Sequence, residues 1–135
     1  MDKPLCLIVE DEPIYLVIIA EVLESLGYGT LAARSEREAM GLLRSAEPAL
    51  VIMDIHLHGR PSGIELIRFI RAGGESGGCV PIIGVSAADF SETHAPEASG
   101  PKGMNAFVSK LSLVQGLAEA VRKVAWQPSA LTCLP

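Results

Sequence analysis

No run in this chain approaches the ~20 consecutive apolar residues of a membrane span, so an integral membrane helix is not expected. The opening MDKPLCLIVEDE carries one lysine and then meets acids, unlike a secretory signal. Basic residues number eleven against sixteen acids and are scattered, so the positive stripe used in non-specific nucleic-acid binding is missing. No segment reads GxxxxGK[ST] or GxGxxG, which removes the usual loops for cradling nucleotide phosphates. The three cysteines, Cys6, Cys79 and Cys133, are odd in number and fit no metal-ligand spacing. They suit a reducing, cytoplasmic setting, with Cys6 and Cys79 expected as core thiols because both lie in apolar runs.

What is present is a chain of 135 residues, 49% hydrophobic, which is one domain's length with enough apolar material for a core. The expected division is a folded unit over residues 1–126 and a tail or linker start over 127–135. Leu5 to Val9 is a short apolar run ended by Glu10, Asp11 and Glu12. Pro13 suits the first turn of a helix, and Ile14, Val17, Ile18, Leu23 and Leu26 keep helical spacing up to Gly27. Thr30 to Ala33 is a weak strand. Ser35 with Glu38 forms a capping box that opens a helix through Ala39, Leu42 and Leu43. Ala49 to Met53 is apolar without alternation, as expected of a strand covered on both faces.

Past the Gly59–Gly63 linker, Ile64, Ile67, Phe69 and Ile70 mark another helix, and glycines end it. Val80 to Val85 is a third strong strand, running to Ser86. Asp89 and Ser91 could open a further helix, but Pro96, Gly100 and Pro101 cut it short or leave the segment as loop. Ala106 to Val108 is a short last strand, and Leu113, Val114, Leu117, Val121 and Val124 mark a final helix ending near Trp126. Strands alternating with helices argue for an open α/β sheet, in which right-handed crossovers bring the strand ends to one edge.

The stretch "PALVIMDIHLHG", Pro48 to Gly59, then carries the functional question, because its apolar run stops on a carboxylate, Asp54. Sites in open α/β sheets form at the carboxyl ends of strands, so Asp54 is not read as an ordinary loop acid. If the first and third strands are neighbours, their tips lie ~5 Å apart and Glu10, Asp11 and Asp54 crowd together. Like charges at that spacing raise one another's pKa unless a cation sits between them, and hard oxygen ligands of this kind suit Mg²⁺. Lys110 adds a positive charge and Ser86 a hydroxyl donor. Those groups are what in-line phosphoryl transfer onto a carboxylate requires. Each also has a plainer reading: Glu10 and Asp11 as acids at a helix N-terminus, Ser86 as a turn residue, Lys110 as a surface charge, Phe107 as a core aromatic. His56 and His58 invite a transition-metal reading, but no third soft ligand is evident.

Taken in order, "LIVEDE", "VIMDIHLHG", "GIELIRFIR", "VPIIGVSA" and "NAFVSK" make the chain resemble the receiver domain of two-component response regulators over roughly Leu5 to Val124. The resemblance implies a flavodoxin-like (βα)₅ fold with strand order 2-1-3-4-5, like that of CheY. It implies Asp54 as phosphoacceptor, taking phosphoryl from a sensor histidine kinase or histidine phosphotransfer protein. Glu10 and Asp11 would be the acidic pair around Mg²⁺, Asp11 the more direct ligand, and the backbone carbonyl of His56 would complete the protein ligands. Ser86 and Phe107 would be the switch pair and Lys110 the phosphate-contacting lysine. Output would pass to an unknown downstream protein, with neither nucleic acid nor membrane bound directly, and homodimerisation is compatible with it.

Two departures from that pattern stand out. Leu111 follows Lys110 where the family carries a cis proline, and a cis bond before a non-proline costs ~2.5–4 kcal/mol, so the loop is either trans or strained. Phe107 lacks the hydroxyl of the family's common tyrosine. Leu111, together with the helical segment broken by Pro96 and Pro101, leaves room for a degenerate receiver acting as a constitutive interaction or dimerisation module. A small Mg²⁺-dependent phosphatase is the remaining alternative, with His56 as its base.

Overall fold

The structure is a computed structural model, which describes residues 3–60, 62–73, 77–87 and 103–126. The expectations for a helix at Asp89 and Ser91 and for the 127–135 tail, which includes Cys133, lie outside the described residues. The strands are β1 (Leu5–Val9), β2 (Gly29–Ala33), β3 (Leu50–Asp54), β4 (Ile82–Ser86) and β5 (Ala106–Ser109), and the helices are α1 (Pro13–Ser25), α2 (Glu36–Ala46), α3 (Ser62–Ala72) and α4 (Leu113–Trp126). All strand pairs are parallel, in the order β2-β1-β3-β4-β5. This is the flavodoxin-like arrangement that the resemblance implied. No helix among the described residues is long and apolar enough to cross a membrane.

Local chemistry sets the helix ends. Pro13 starts α1, and at its far end Gly27 (φ 94°) turns the chain so that Tyr28 N–H reaches the Leu23 carbonyl at 3.0 Å and Gly27 N–H the Glu24 carbonyl at 3.1 Å. The α2 capping box forms: Ser35 Oγ accepts from Glu38 N–H at 3.2 Å, while Glu38 Oε2 accepts from Arg34 N–H at 3.0 Å.

The sheet has a core on each face. On one, α2 and α3 cover Leu7, Val9, Val51, Met53 and Ile82. On the other, α1 and α4 cover Cys6, Ile8, Leu50, Ile52, Ile83 and Val108. Helical spacing misplaces several side chains here. Ile14 and Val17 are exposed, and α1 buries Ile19 and Val22 beside the expected Leu23, because a helix this apolar does not declare its inner face. Phe69 and Val114 are exposed as well. Cys6 is a buried free thiol, pushed up to about 12 by burial. Cys79 is only half-buried on the short 3₁₀ turn before β4 and is not a free thiol, so the expectation of a second core thiol is corrected.

Arg71, in the last turn of α3, ties the base of the sheet together. Its guanidinium donates to the carbonyls of Gly103 (2.9 Å), Gly78 (3.1 Å) and Val80 (2.6 Å) and to Asn105 Oδ1 (2.8 Å), which also accepts from Ile82 N–H at 2.9 Å. Arg71→Met keeps the aliphatic stem but strips these acceptors of their donors. Urea unfolding is expected to show a loss of about 2–4 kcal/mol, and an unchanged midpoint would mean water replaces the clasp.

Candidate functional site

Strand alternation decides which way the site faces. Cys6 and Ile8 of β1 point toward α1 and α4, and Glu10 is next in that row. The rows Leu50, Ile52, Asp54 in β3 and Val108, Lys110 at the end of β5 continue the same way. Three functional side chains from three strand tips therefore share the α1 side. β1 and β3 are direct neighbours, with Val9 opposite Met53, so Glu10 stands beside Asp54.

The geometry is tight. One carboxylate oxygen from each of Glu10, Asp11 and Asp54 lies within 4.8 Å of the others. Lys110 Nζ lies 2.9 Å from Glu10 Oε1 and donates to Asp54 Oδ2 at 3.2 Å, and all three side chains are buried. Asp54 Oδ1 accepts from His56 N–H at 3.1 Å, and Glu10 Oε2 from Glu12 N–H at 3.2 Å. The loop after β3 closes with His58 (φ 54°) and Gly59 (φ 75°) as the left-handed centre of a tight turn, in which Arg60 N–H reaches the Leu57 carbonyl at 3.1 Å. That turn aims His58 N–H at Asp11 Oδ2, 3.1 Å away, with His58 Nδ1 3.5 Å from the same oxygen.

Charge is unbalanced. Burial and then the charge of Glu10 push Asp54 up to about 8. Burial would raise Asp11 too, but the His58 backbone N–H and nearby positive charge hold it below the ordinary carboxylate range. Burial would lower Lys110, yet its contact with Glu10 and the charge of Asp54 outweigh this and hold it above the usual value. Three carboxylates thus face one ammonium. Asp11 Oδ1 is buried with no hydrogen-bond partner, and Glu10 Oε1 has only its ion pair with Lys110, not aligned as a hydrogen bond. Orphaned hard oxygens beside excess negative charge fit a divalent cation.

The remaining expected residues sit at the rim. Ser86 closes β4, one residue past Val85, the register partner of Asp54, and His56 Nδ1 lies 3.2 Å from its Oγ. Phe107 is half-buried against the α2/α3 core and stands opposite Gly84, so it is a diagonal neighbour of Ser86 and has no place in the acidic cluster. The Lys110–Leu111 bond is trans, which resolves the alternative left by the missing proline. Lys110 opens a 3₁₀ turn, Ser109 Oγ accepts from Leu111 N–H at 3.1 Å, and Leu111 is 87% exposed while Lys110 turns inward. Neither histidine joins the acidic cluster as a soft metal ligand: one imidazole faces Ser86, the other Asp11. Sequence reasoning missed those two contacts and Tyr15, whose ring lies 4.3 Å from Lys110 Nζ. No periodicity announces them, since they depend on how one turn and one helix face are rotated.

Comparison with known proteins agrees with this geometry. The family model described as response regulator receiver domain matches residues 6–122. The polar-differentiation response regulator DivK of Brucella ovis is 31% identical over 116 residues, covering 86% of this chain and 91% of that protein. Among solved structures, a putative response regulator from Chloroflexus aurantiacus superposes with a TM-score of 0.78 at 27% identity, over 93% of this chain and 100% of that one. The chemotaxis response regulator CheY4 of Vibrio cholerae has a TM-score of 0.77 at 19% identity, over 90% and 98%, a likeness of fold.

Proposed function

The chain belongs to the response regulator receiver family, and from that premise we propose that Asp54 accepts a phosphoryl group from a phosphohistidine and that residues 1–126 form the switching unit. The observation that carries this reading is the Lys110 ammonium set between the Glu10 and Asp54 carboxylates, with Asp11 completing the cluster. Glu10, Asp11, Asp54 and the His56 carbonyl would hold Mg²⁺. Bound there, the ion offsets the negative charge of the incoming phosphoryl group.

The protein's own groups do the rest. An Asp54 oxygen attacks phosphorus in line, the P–N bond to the donor imidazole breaks, and the released electron pair stays on that nitrogen. Lys110, already on Asp54 Oδ2, follows the charge onto a phosphoryl oxygen. Ser86 turns its hydroxyl toward another phosphoryl oxygen and leaves His56. Phe107, the diagonal neighbour of Ser86 across the β4–β5 pair, moves into the space that Ser86 vacates, which shifts the β5–α4 face between two populations. Output is by protein contact, in a cytoplasmic setting.

Ile14 and Val17 of α1, shortly after Glu10 and Asp11, and Leu111 and Val114, shortly after Lys110, are exposed apolar side chains. They suit a docked phosphodonor, a histidine kinase or phosphotransfer protein, that must exclude water during transfer. Incubation with acetyl phosphate and Mg²⁺ is expected to give a single phosphoryl adduct by intact mass, lost in Asp54→Asn. No adduct under any condition, or one unchanged in that variant, would sink the reading. A non-switching interaction module instead predicts partner affinity indifferent to the adduct.

A further inference from the structure

The geometry points to Tyr15 as the positioning residue that holds the Lys110 ammonium over Asp54. This rests on the receiver reading above and adds to it a group outside the acids, hydroxyl and lysine already assigned. Lys110 issues from β5, the edge strand, and β4 lies between it and β3. Its side chain must therefore cross a strand to reach Asp54. The 3₁₀ turn, closed by Ser109 Oγ on the Leu111 N–H, fixes the Lys110 backbone but not the side chain beyond it. A flexible four-carbon stem in that position needs lateral support.

The support comes from the first turn of α1. An ammonium has three N–H donors. Glu10 Oε1 at 2.9 Å and Asp54 Oδ2 at 3.2 Å flank Nζ on the carboxylate side, and the half-buried Tyr15 ring covers it, with its centroid 4.3 Å away. The negative face of the ring attracts the cation without fixing a single acceptor direction. A third carboxylate there would pin Nζ back from the phosphoryl group. An aliphatic side chain would leave the buried charge without a partner on that side. The ring lets Nζ slide from the Asp54 oxygen to a phosphoryl oxygen and remain in contact throughout. Because Tyr15 follows Glu10 and Asp11 within a few residues, acids and ring move as one unit.

The test is the rate of phosphorylation by acetyl phosphate at saturating Mg²⁺, followed by intact mass. Tyr15→Phe is expected to keep the wild-type rate, because the hydroxyl plays no part, whereas Tyr15→Leu is expected to slow it roughly tenfold. Phenylalanines bearing one, two and three ring fluorines at this position keep the shape and weaken the ring face. They are expected to lower the logarithm of the rate in steps, a response that packing alone does not give, and they decide the matter even if Tyr15→Leu fails to fold. In a Lys110→Met background, Tyr15→Leu should have no further effect. A wild-type rate in Tyr15→Leu, a flat fluorine series, or an equal loss in the Lys110→Met background would each overturn the assignment while leaving Asp54 as phosphoacceptor. A wild-type protein that takes no phosphoryl group would instead remove the receiver reading, and this inference with it.

Discussion

Asp54→Asn is expected to make the metal-free protein more stable near pH 8, with the gain vanishing below pH 3.8. Burial and the charge of Glu10 raise the folded-state pKa of Asp54 to about 8 from 3.8 in the unfolded chain. Between those values the folded protein keeps a proton that the unfolded chain has released. The stability linked to Asp54 is therefore fully present below the unfolded pKa and is lost as pH rises through the folded one. Asparagine does not ionise, so the variant escapes this loss while Lys110 keeps its pair with Glu10. The gain at pH 8 is on the order of a few kcal/mol. Thermal unfolding in chelator across pH measures it. Mg²⁺ should then stabilise wild type and do much less for the variant, because the cation answers the charge that the substitution removes. A variant less stable than wild type at pH 8 would show that Lys110 outweighs both burial and Glu10.

Gly63→Ala is expected to cost more than about 3 kcal/mol and to abolish phosphoryl uptake. A Cβ at Gly63 would overlap the carbonyl oxygen of Asp54 and come within 2.8 Å of Ile55 Cα and 2.9 Å of the Ile55 carbonyl oxygen. These are backbone atoms of the strand end that holds Asp54, the proposed phosphoacceptor, and they have no rotamer by which to yield. Gly63 N–H also donates to the Ile55 carbonyl at 3.1 Å, so the first turn of α3 cannot back away without losing that bond. Gly84→Ala is the useful contrast: its Cβ would meet Met104 Sδ at 2.7 Å, on a flexible side chain that can move. Urea denaturation and intact mass on both variants check the pair. Wild-type stability and uptake in Gly63→Ala would mean that α3 can shift off the strand.

Much of this molecule could be read from residue order because its signals are local. The strands β1, β3 and β4 are short apolar runs, the Ser35 capping box lies within four residues, and Glu10 and Asp54 close the runs of β1 and β3. The strand-end rule then gathers Glu10, Asp11, Asp54 and Lys110 without any knowledge of side-chain angles. The weak points were the helix faces. In α1 most residues are apolar, so spacing found Leu23 but also favoured Ile14 and Val17, and only packing against α4 selected Ile19 and Val22.

Residue order alone determined the sheet class, the acids at its carboxyl edge and the place of Asp54 among them, since run length, capping and alternation act over a few neighbouring residues. Tertiary structure decided that Lys110 reaches Asp54 through a trans turn, that His56 faces Ser86, and that Tyr15 covers the ammonium. Those contacts join residues far apart in the chain, and their geometry follows from how the helices and the turn after β3 are rotated against the sheet.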